Sequence, residues 1–350
     1  MFLRLIGAVC CLFVICLGQV KVESNSRVTL KCSENRTHGD ENKSQCTLKS
    51  TRCVLNGYKL GSRGEINHPK EAYYVSCLIF DKTDVYMLPA DFFSSYTVIK
   101  NINLSFSNLT KIADFTFGLQ YLVDLNLQGN NLFFLSANVF NGAVNLRILD
   151  LSGNDLSIIQ PETFVYTTSL WDLNLSNNRL NNNTFGRNGV DWIDDTSSLR
   201  TLDLSSNQLF WYDFMPYQAF SGLVNLETLR LGSNHIKIDY GAFASNQNLK
   251  NLDFSYNNMT YFDLNLLLSV PSLENLNLDG NGISYASQID LDDVKATFPQ
   301  LKSLSISENS FSCEVLSVII KKLMKASIQL IIWDEKFVNN QRNLRGVACF

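Results

Sequence analysis

The sequence predicts an α/β solenoid, a stack of short parallel strands joined by return segments, and three observations predict it. An eleven-residue motif recurs nine times at a spacing of 23 or 24 residues, with three stretched units. Within each copy, apolar and polar residues alternate as they do along a half-buried strand. Beyond the first 16 residues, six cysteines fall into a group of four near the start and a group of two near the end, with none between.

The chain opens with MFLRLIGAVCCLFVICLGQ: Arg4, an apolar run from Leu5 to Leu17, then small residues at Cys16 and Gly18. This is the layout of a secretory signal peptide over residues 1–18. The run of thirteen falls short of the roughly 20 residues needed to span a bilayer. Later apolar runs come no closer, because Lys321 and Lys322 break VLSVIIKKLM and IQLIIW is too short. A soluble, secreted product is expected. Charged residues make up only 18% and the formal charge of −4 includes no long basic run, which argues against nucleic acid as a partner.

Removing the signal takes away Cys10, Cys11 and Cys16 and leaves Cys32, Cys46, Cys53, Cys77, Cys313 and Cys349. An even count in an oxidising compartment points to disulfides, and the wide spacings do not suit a zinc site. Residues 19–74 are expected to form an N-terminal cap, with three connectivities open to its four cysteines. In the C-terminal cap, residues 312–350, Cys313 and Cys349 are expected to close a loop that stabilises by about 3 to 4 kcal/mol. There CEVLSVIIKKLM places Val315, Leu316, Ile319, Ile320 and Leu323 at helical spacing, as for a helix laid over the end of the core.

The nine copies are IKNINLSFSNL, LVDLNLQGNNL, LRILDLSGNDL, LWDLNLSNNRL, LRTLDLSSNQL, LETLRLGSNHI, LKNLDFSYNNM, LENLNLDGNGI and LKSLSISENSF, starting at residues 99, 122, 146, 170, 199, 226, 249, 273 and 301. A degenerate copy precedes them, with Val75, Leu78, Phe80 and Val85 in the apolar slots. The pattern LxxLxLxxNxL over roughly residues 75–311 resembles the leucine-rich repeat. The resemblance implies a horseshoe with a parallel concave β-sheet and disulfide-bonded terminal caps. Nine strands about 4.8 Å apart would make that sheet on the order of 40 Å long.

Each strand would turn one face inward, Leu173 and Leu175 for example, and leave Trp171 in a variable slot at the strand's entry. Where the strand ends, backbone N–H and C=O groups lose their ladder partners. An Asn amide can serve both, so Asn130, Asn154, Asn178, Asn207, Asn234, Asn257, Asn281 and Asn309 are read as a buried hydrogen-bonded column. Ser107 takes the slot in the first clear unit, where solvation at an edge would make a weaker donor tolerable. Phe93, Phe117, Phe140, Phe164, Phe220 and Phe243, with Leu267 in the equivalent slot, recur once per unit and read as an aromatic spine. The same spine is typical of extracellular members of the family that the chain resembles.

The two-cysteine C-terminal cap and the closing LRGVACF are similar to secreted insect leucine-rich repeat proteins, among them the mosquito leucine-rich immune proteins. That resemblance implies recognition or scaffolding in innate defence, in a haemolymph-like fluid, with another extracellular protein or a microbial glycan as partner. The alternative is a matrix or cell-adhesion protein. The sequence ends one residue after Cys349 with no coiled coil following the cap, and a monomer is expected.

Catalysis finds no footing. His38, His68 and His235 are scattered and no HExxH, GxSxG or P-loop is present, so neither cofactor nor metal is expected. Asp124, Asp150, Asp172, Asp203, Asp253 and Asp279 read as a solvated polar face. Sequons begin at Asn35, Asn42, Asn103, Asn108, Asn174, Asn182 and Asn258, and glycans on Asn103 and Asn174 would stand on the concave strands.

Two neighbouring units are lengthened, by NNNTFGRNGVDWIDD (181–195) and by FWYDFMPY (210–217). Tyr212 can fill the usual apolar slot of the second, but Phe210, Trp211, Phe214, Met215 and Tyr217 exceed what one return segment can bury. Trp192, Asp194 and Asp195 should lie beside them on one flank. The cluster forms either a minicore under the insertions or, with its Trp and Tyr exposed, the main partner contact.

Overall fold

The computed structural model describes residues 72–81, 83–182, 184, 197–210, 215, 217–284, 294–332 and 343–350, together with backbone strands at 28–29, 32–33, 52–56, 59–60 and 66–67. The chain divides into two compact units, Met1–Leu173 and Asn174–Phe350. In the first, strands β1 (Cys32–Ser33), β2 (Arg52–Asn56), β3 (Cys77–Asp81), β4 (Asn101–Asn103), β5 (Asp124–Asn126) and β6 (Ile148–Asp150) lie side by side in that order. β1 runs antiparallel to β2. Every later pair is parallel and in one register, with Leu78, Ile102, Leu125 and Leu149 in a row. Strand β7 (Asp172–Asn174) falls on the division between the units.

The second unit follows the same plan with β8 (Thr201–Asp203), β9 (Thr228–Arg230), β10 (Asn251–Asp253), β11 (Asn275–Asn277), β12 (Ser303–Ser305) and β13 (Gln329–Ile331). All its pairs are parallel, and Leu202, Leu229, Leu252, Leu276, Leu304 and Leu330 form the row. Each unit is thus a parallel-sheet solenoid. β2 and β13 carry the ladder outside residues 75–311. The pattern LxxLxLxxNxL does not continue through either strand, so the sequence there lacks the residues that flag a repeat.

The core forms because the middle residue of each strand and the one two places on both point inward. Leu125, Leu127, Leu173, Leu175, Leu202 and Leu204 are fully buried, each stabilising by roughly 1.5 to 3 kcal/mol relative to exposure. Trp171 is 45% exposed, in keeping with its variable slot. The degenerate copy is packed in the same way, with Val75, Leu78, Phe80 and Val85 buried.

The Asn column is buried and couples neighbours. Asn257 shows the scheme: its Nδ2 donates to Phe254 O at 3.1 Å in its own unit and to Leu231 O at 2.9 Å in the preceding one. Its Oδ1 accepts from Ile236 N, also of the preceding unit, at 2.9 Å. Asn130, Asn154, Asn207, Asn234, Asn281 and Asn309 repeat it. Ser107 departs from expectation, for it is fully buried rather than solvated at an edge. Asn130 Oδ1 takes its N–H, and Thr83 fills the equivalent slot in the unit before it. The register of β3 against β4 puts a whole unit over this end.

Phe93, Phe117, Phe140 and Phe164 stack in the first unit with centroids 5.6, 6.1 and 5.7 Å apart, and Phe220 and Phe243 stack at 6.0 Å in the second. Helix α1 (Cys313–Lys325) follows β12, with Ser312 Oγ accepting from Val315 N as its N-cap. It buries Leu316, Ile319, Ile320 and Leu323, while Val315 is only half-buried. Cys313 is disulfide-bonded to Cys349, and Cys77 is disulfide-bonded as well. Among the described residues, no helix is long and apolar enough to cross a membrane.

Candidate functional site

The outward face of each strand presents two side chains, one on either side of the buried Leu. The second of these columns holds Asn103, Asn126, Asp150, Asn174, Asp203, Asp253 and Asn277. In each, Oδ1 accepts the backbone N–H two residues on, at 2.9 or 3.0 Å. Asp150, Asn174 and Asp203 also accept from a Ser hydroxyl. These are Asx turns that close the strand where its ladder ends, so the polar face has a local structural task besides meeting water. Arg230 interrupts the column. It is exposed and lies 3.6 Å from Asp203.

Asp279 corrects the reading of the acids as a solvated set. It is 5% exposed, where other units carry the buried Ser152 and Ser255. Burial pushes its carboxyl up to about 6, against hydrogen bonds from Ser305 Oγ at 2.7 Å and Ser307 N that favour the charged form. Asp124 is also raised, by burial first and by the nearby Asp150, while a hydrogen bond with Asn101 opposes the shift. No shared-proton pair or nucleophile emerges from these groups. His235 is exposed, and among the described residues no group of three His, Cys, Asp or Glu could hold a metal.

On the flank, Phe210 follows the buried Leu209, is 40% exposed, and donates its N–H to Asn182 Oδ1 at 2.9 Å. Tyr217 is 67% exposed, with its ring laid on Gly241, where an added Cβ would come within 2.3 Å of the ring. Met215 is buried, so the return segment absorbs one more side chain than its length predicts. Trp192, Asp194, Asp195, Trp211 and Phe214 lie outside the described residues. The first unit carries a related cluster that sequence reasoning missed. Phe133, Phe134 and Ile158 are 57%, 36% and 50% exposed, and Phe134 pairs with Ile158 in a short parallel ladder. The signal was an aromatic residue directly after the motif's last apolar slot, as in NNLFF and NQLFW.

A third surface is a trough of about 570 Å³ on β9–β12. Its first column is chained across the strands: Ser303 Oγ donates to Asn275 Oδ1 at 2.6 Å, Asn275 Nδ2 to Asn251 Oδ1 at 2.6 Å, and Asn251 Nδ2 to Thr228 Oγ1 at 3.0 Å. The second column consists of Arg230, Asp253, Asn277 and Ser305. Lys250 and Arg200 bind Glu227 beside it, and Lys250's hydrogen bond is the first cause holding that carboxyl below its usual range.

A family signature described as leucine rich repeat matches residues 97–156, 120–180, 179–236 and 237–283, more than half of the 350 residues. Human Toll-like receptor 3 (Homo sapiens) is 28% identical over 211 residues, 59% of this chain. The chain spans a fifth or less of the length of the curated relatives it matches. Among solved structures, the leucine-rich repeat domain of APL1B superposes with a TM-score of 0.56 at 21% identity, covering 85% of this chain and 78% of that one. The mouse RP105/MD-1 complex gives 0.60 at 20% identity, covering 79% and 46%. Signature, stacked parallel strands and buried Asn column agree: the chain belongs to the leucine-rich repeat family.

Proposed function

We propose that this chain is a secreted, non-enzymatic binding protein that recognises another extracellular protein, with recognition or scaffolding in insect innate immunity as its role. The observation that carries the reading is the exposure of Phe210 and Tyr217 on a lengthened unit. Large aromatic rings supply contact area at low entropy cost and dominate binding energies, and a Phe and a Tyr turned to water on a well-packed scaffold suit that use. Trp192, Asp194, Asp195, Trp211 and Phe214 complete the proposed contact. The mouse RP105/MD-1 complex, one chain of which shares this fold, offers a precedent for protein recognition. In this reading the protein acts as a monomer, and Asn103, Asn108, Asn174 and Asn258 carry glycans, while Asn182, whose Oδ1 holds Phe210 N beside the flank aromatics, stays bare.

The test is co-purification of the partner from native body fluid with the full chain and its variants. The double change Trp211→Ala and Tyr217→Ala should weaken capture at least about 30-fold, the equivalent of about 2 kcal/mol, with the thermal melt nearly unaltered. Capture that survives this change but fails when Asp150 and Asp203 are replaced would move the contact to the sheet and defeat the reading.

A further inference from the structure

The trough on β9–β12 combines three features. No sequon begins on strands β8–β12, whereas β4 and β7 carry them at Asn103 and Asn174. Its first column is locked by the chain of side-chain hydrogen bonds from Ser303 to Thr228, so its amides are held in fixed orientations before any ligand arrives. Its volume of about 570 Å³ lies within the range of small-ligand sites, about 300 to 1,000 Å³.

The unused hydrogen-bonding capacity defines the ligand. Asn251 and Asn275 each spend one N–H and one lone pair within the chain, which leaves each a donor and an acceptor for the trough. In the second column Arg230 offers donors. Asp253 keeps its second oxygen, since Oδ1 is held by Ser255 N, and Asn277 keeps its amide N–H groups, since its Oδ1 is held by Asp279 N. The wall therefore runs donor, acceptor, donor, at the strand spacing of about 4.8 Å. An extended peptide laid across the strands repeats its same-side groups every two residues, about 6.6 to 6.8 Å, and loses step after one rung. Hydroxyl groups donate and accept from one atom and stand several to a sugar ring, so they can meet every rung. Arg230 and Asp253, neighbours in register, are the charged residues of the trough's lining and balance one another, which gives no strong preference for a charged ligand. Ile331 at the far end gives an apolar surface for a ring's C–H face.

We propose that the trough on β9–β12 binds a neutral glycan, whose hydroxyls bridge the Thr228–Asn251–Asn275–Ser303 chain and the Arg230, Asp253, Asn277 column. The proposal rests on the chain's being a binding protein but not on the flank contact.

The test uses the full secreted chain on a printed array of neutral β-1,3-glucan, mannan and chitin oligosaccharides, with sulfated glycans and extended peptides on the same slides. At least one neutral oligosaccharide should bind. Asn277→Asp keeps the Asx-turn acceptor, replaces the outward donors by an acceptor and sets a negative charge beside Asp253, and it should weaken that binding about tenfold. Arg230→Gln, at an exposed position, should weaken it to a similar degree, while Tyr217→Ala leaves it unchanged. Melting curves accompany each variant, and the exposed Arg230→Gln keeps the test decisive should Asn277→Asp unfold. The proposal is overturned if no neutral oligosaccharide binds, if both substitutions leave binding intact, or if sulfated glycans or peptides bind in preference. If the unaltered chain binds no neutral glycan but still captures the flank partner, the trough alone is refuted, and the converse would refute the flank alone.

Discussion

Two columns of Asn and Asp run through each unit four residues apart, and their difference shows what a repeat needs from the same chemistry. Asn130 and its equivalents are buried and bond across to the preceding unit: Asn130 Nδ2 reaches Leu104 O, and its Oδ1 takes the N–H groups of Ser107 and Leu109. Asn126, in the outward column, bonds only to Gln128 N in its own turn and stays half-exposed. The inner column couples neighbours and the outer one shapes each strand's exit. The outer column is therefore free to vary, as it does at Arg230 and Ser305.

The largest expected loss comes from the apolar row that both columns border. Leu175→Ala should destabilise by roughly 2 to 5 kcal/mol in chemical denaturation, because the site is fully buried. A cost no greater than that of Trp171→Ala, whose side chain is 45% exposed, would break the register on which both columns are defined.

Asn257→Ala should cost roughly 1 to 3 kcal/mol, since Leu231 O, Phe254 O and Ile236 N would remain buried without their partner. Asn126→Ala, with one local bond to lose and water at hand, should cost less than about 1 kcal/mol. Equal losses would erase the distinction between a coupling column and a capping one.

Asp279 sharpens the comparison by placing an acid between the columns. Its folded value, about 6 against an ordinary 3.8, is raised, so the folded state holds the proton more tightly. Its contribution to stability is greatest below the ordinary value and is lost as pH rises through about 6. Asp279→Asn should therefore raise the melt at pH 7.5 by the equivalent of roughly 1 to 2 kcal/mol after allowance for solvent screening, and change little at pH 4. A gain at pH 4 that matched the gain at pH 7.5 would mean that burial does not govern this carboxyl.

Much of this molecule was legible in one dimension because the repeat makes every local rule recur. A lone Leu175 or Asn257 says little, but nine copies in one register state which residues face inward and which must hold hydrogen bonds. The same logic marked the Phe spine and the helix under Cys313. What the sequence could not determine depends on contacts between units. Ser107 reads as an edge until β3 is seen to cover it, and Asp279 reads as one more surface acid until Ser305 and Ser307 close over it. Met215 counts as surplus until the return segment is seen to bury it. The trough is the plainest case. Thr228, Asn251, Asn275 and Ser303 stand 23 to 28 residues apart, and nothing local marks them as a set. Only parallel stacking sets them on adjacent strands, where side chains that alternate outward meet across the sheet and their amides bond to one another rather than to water.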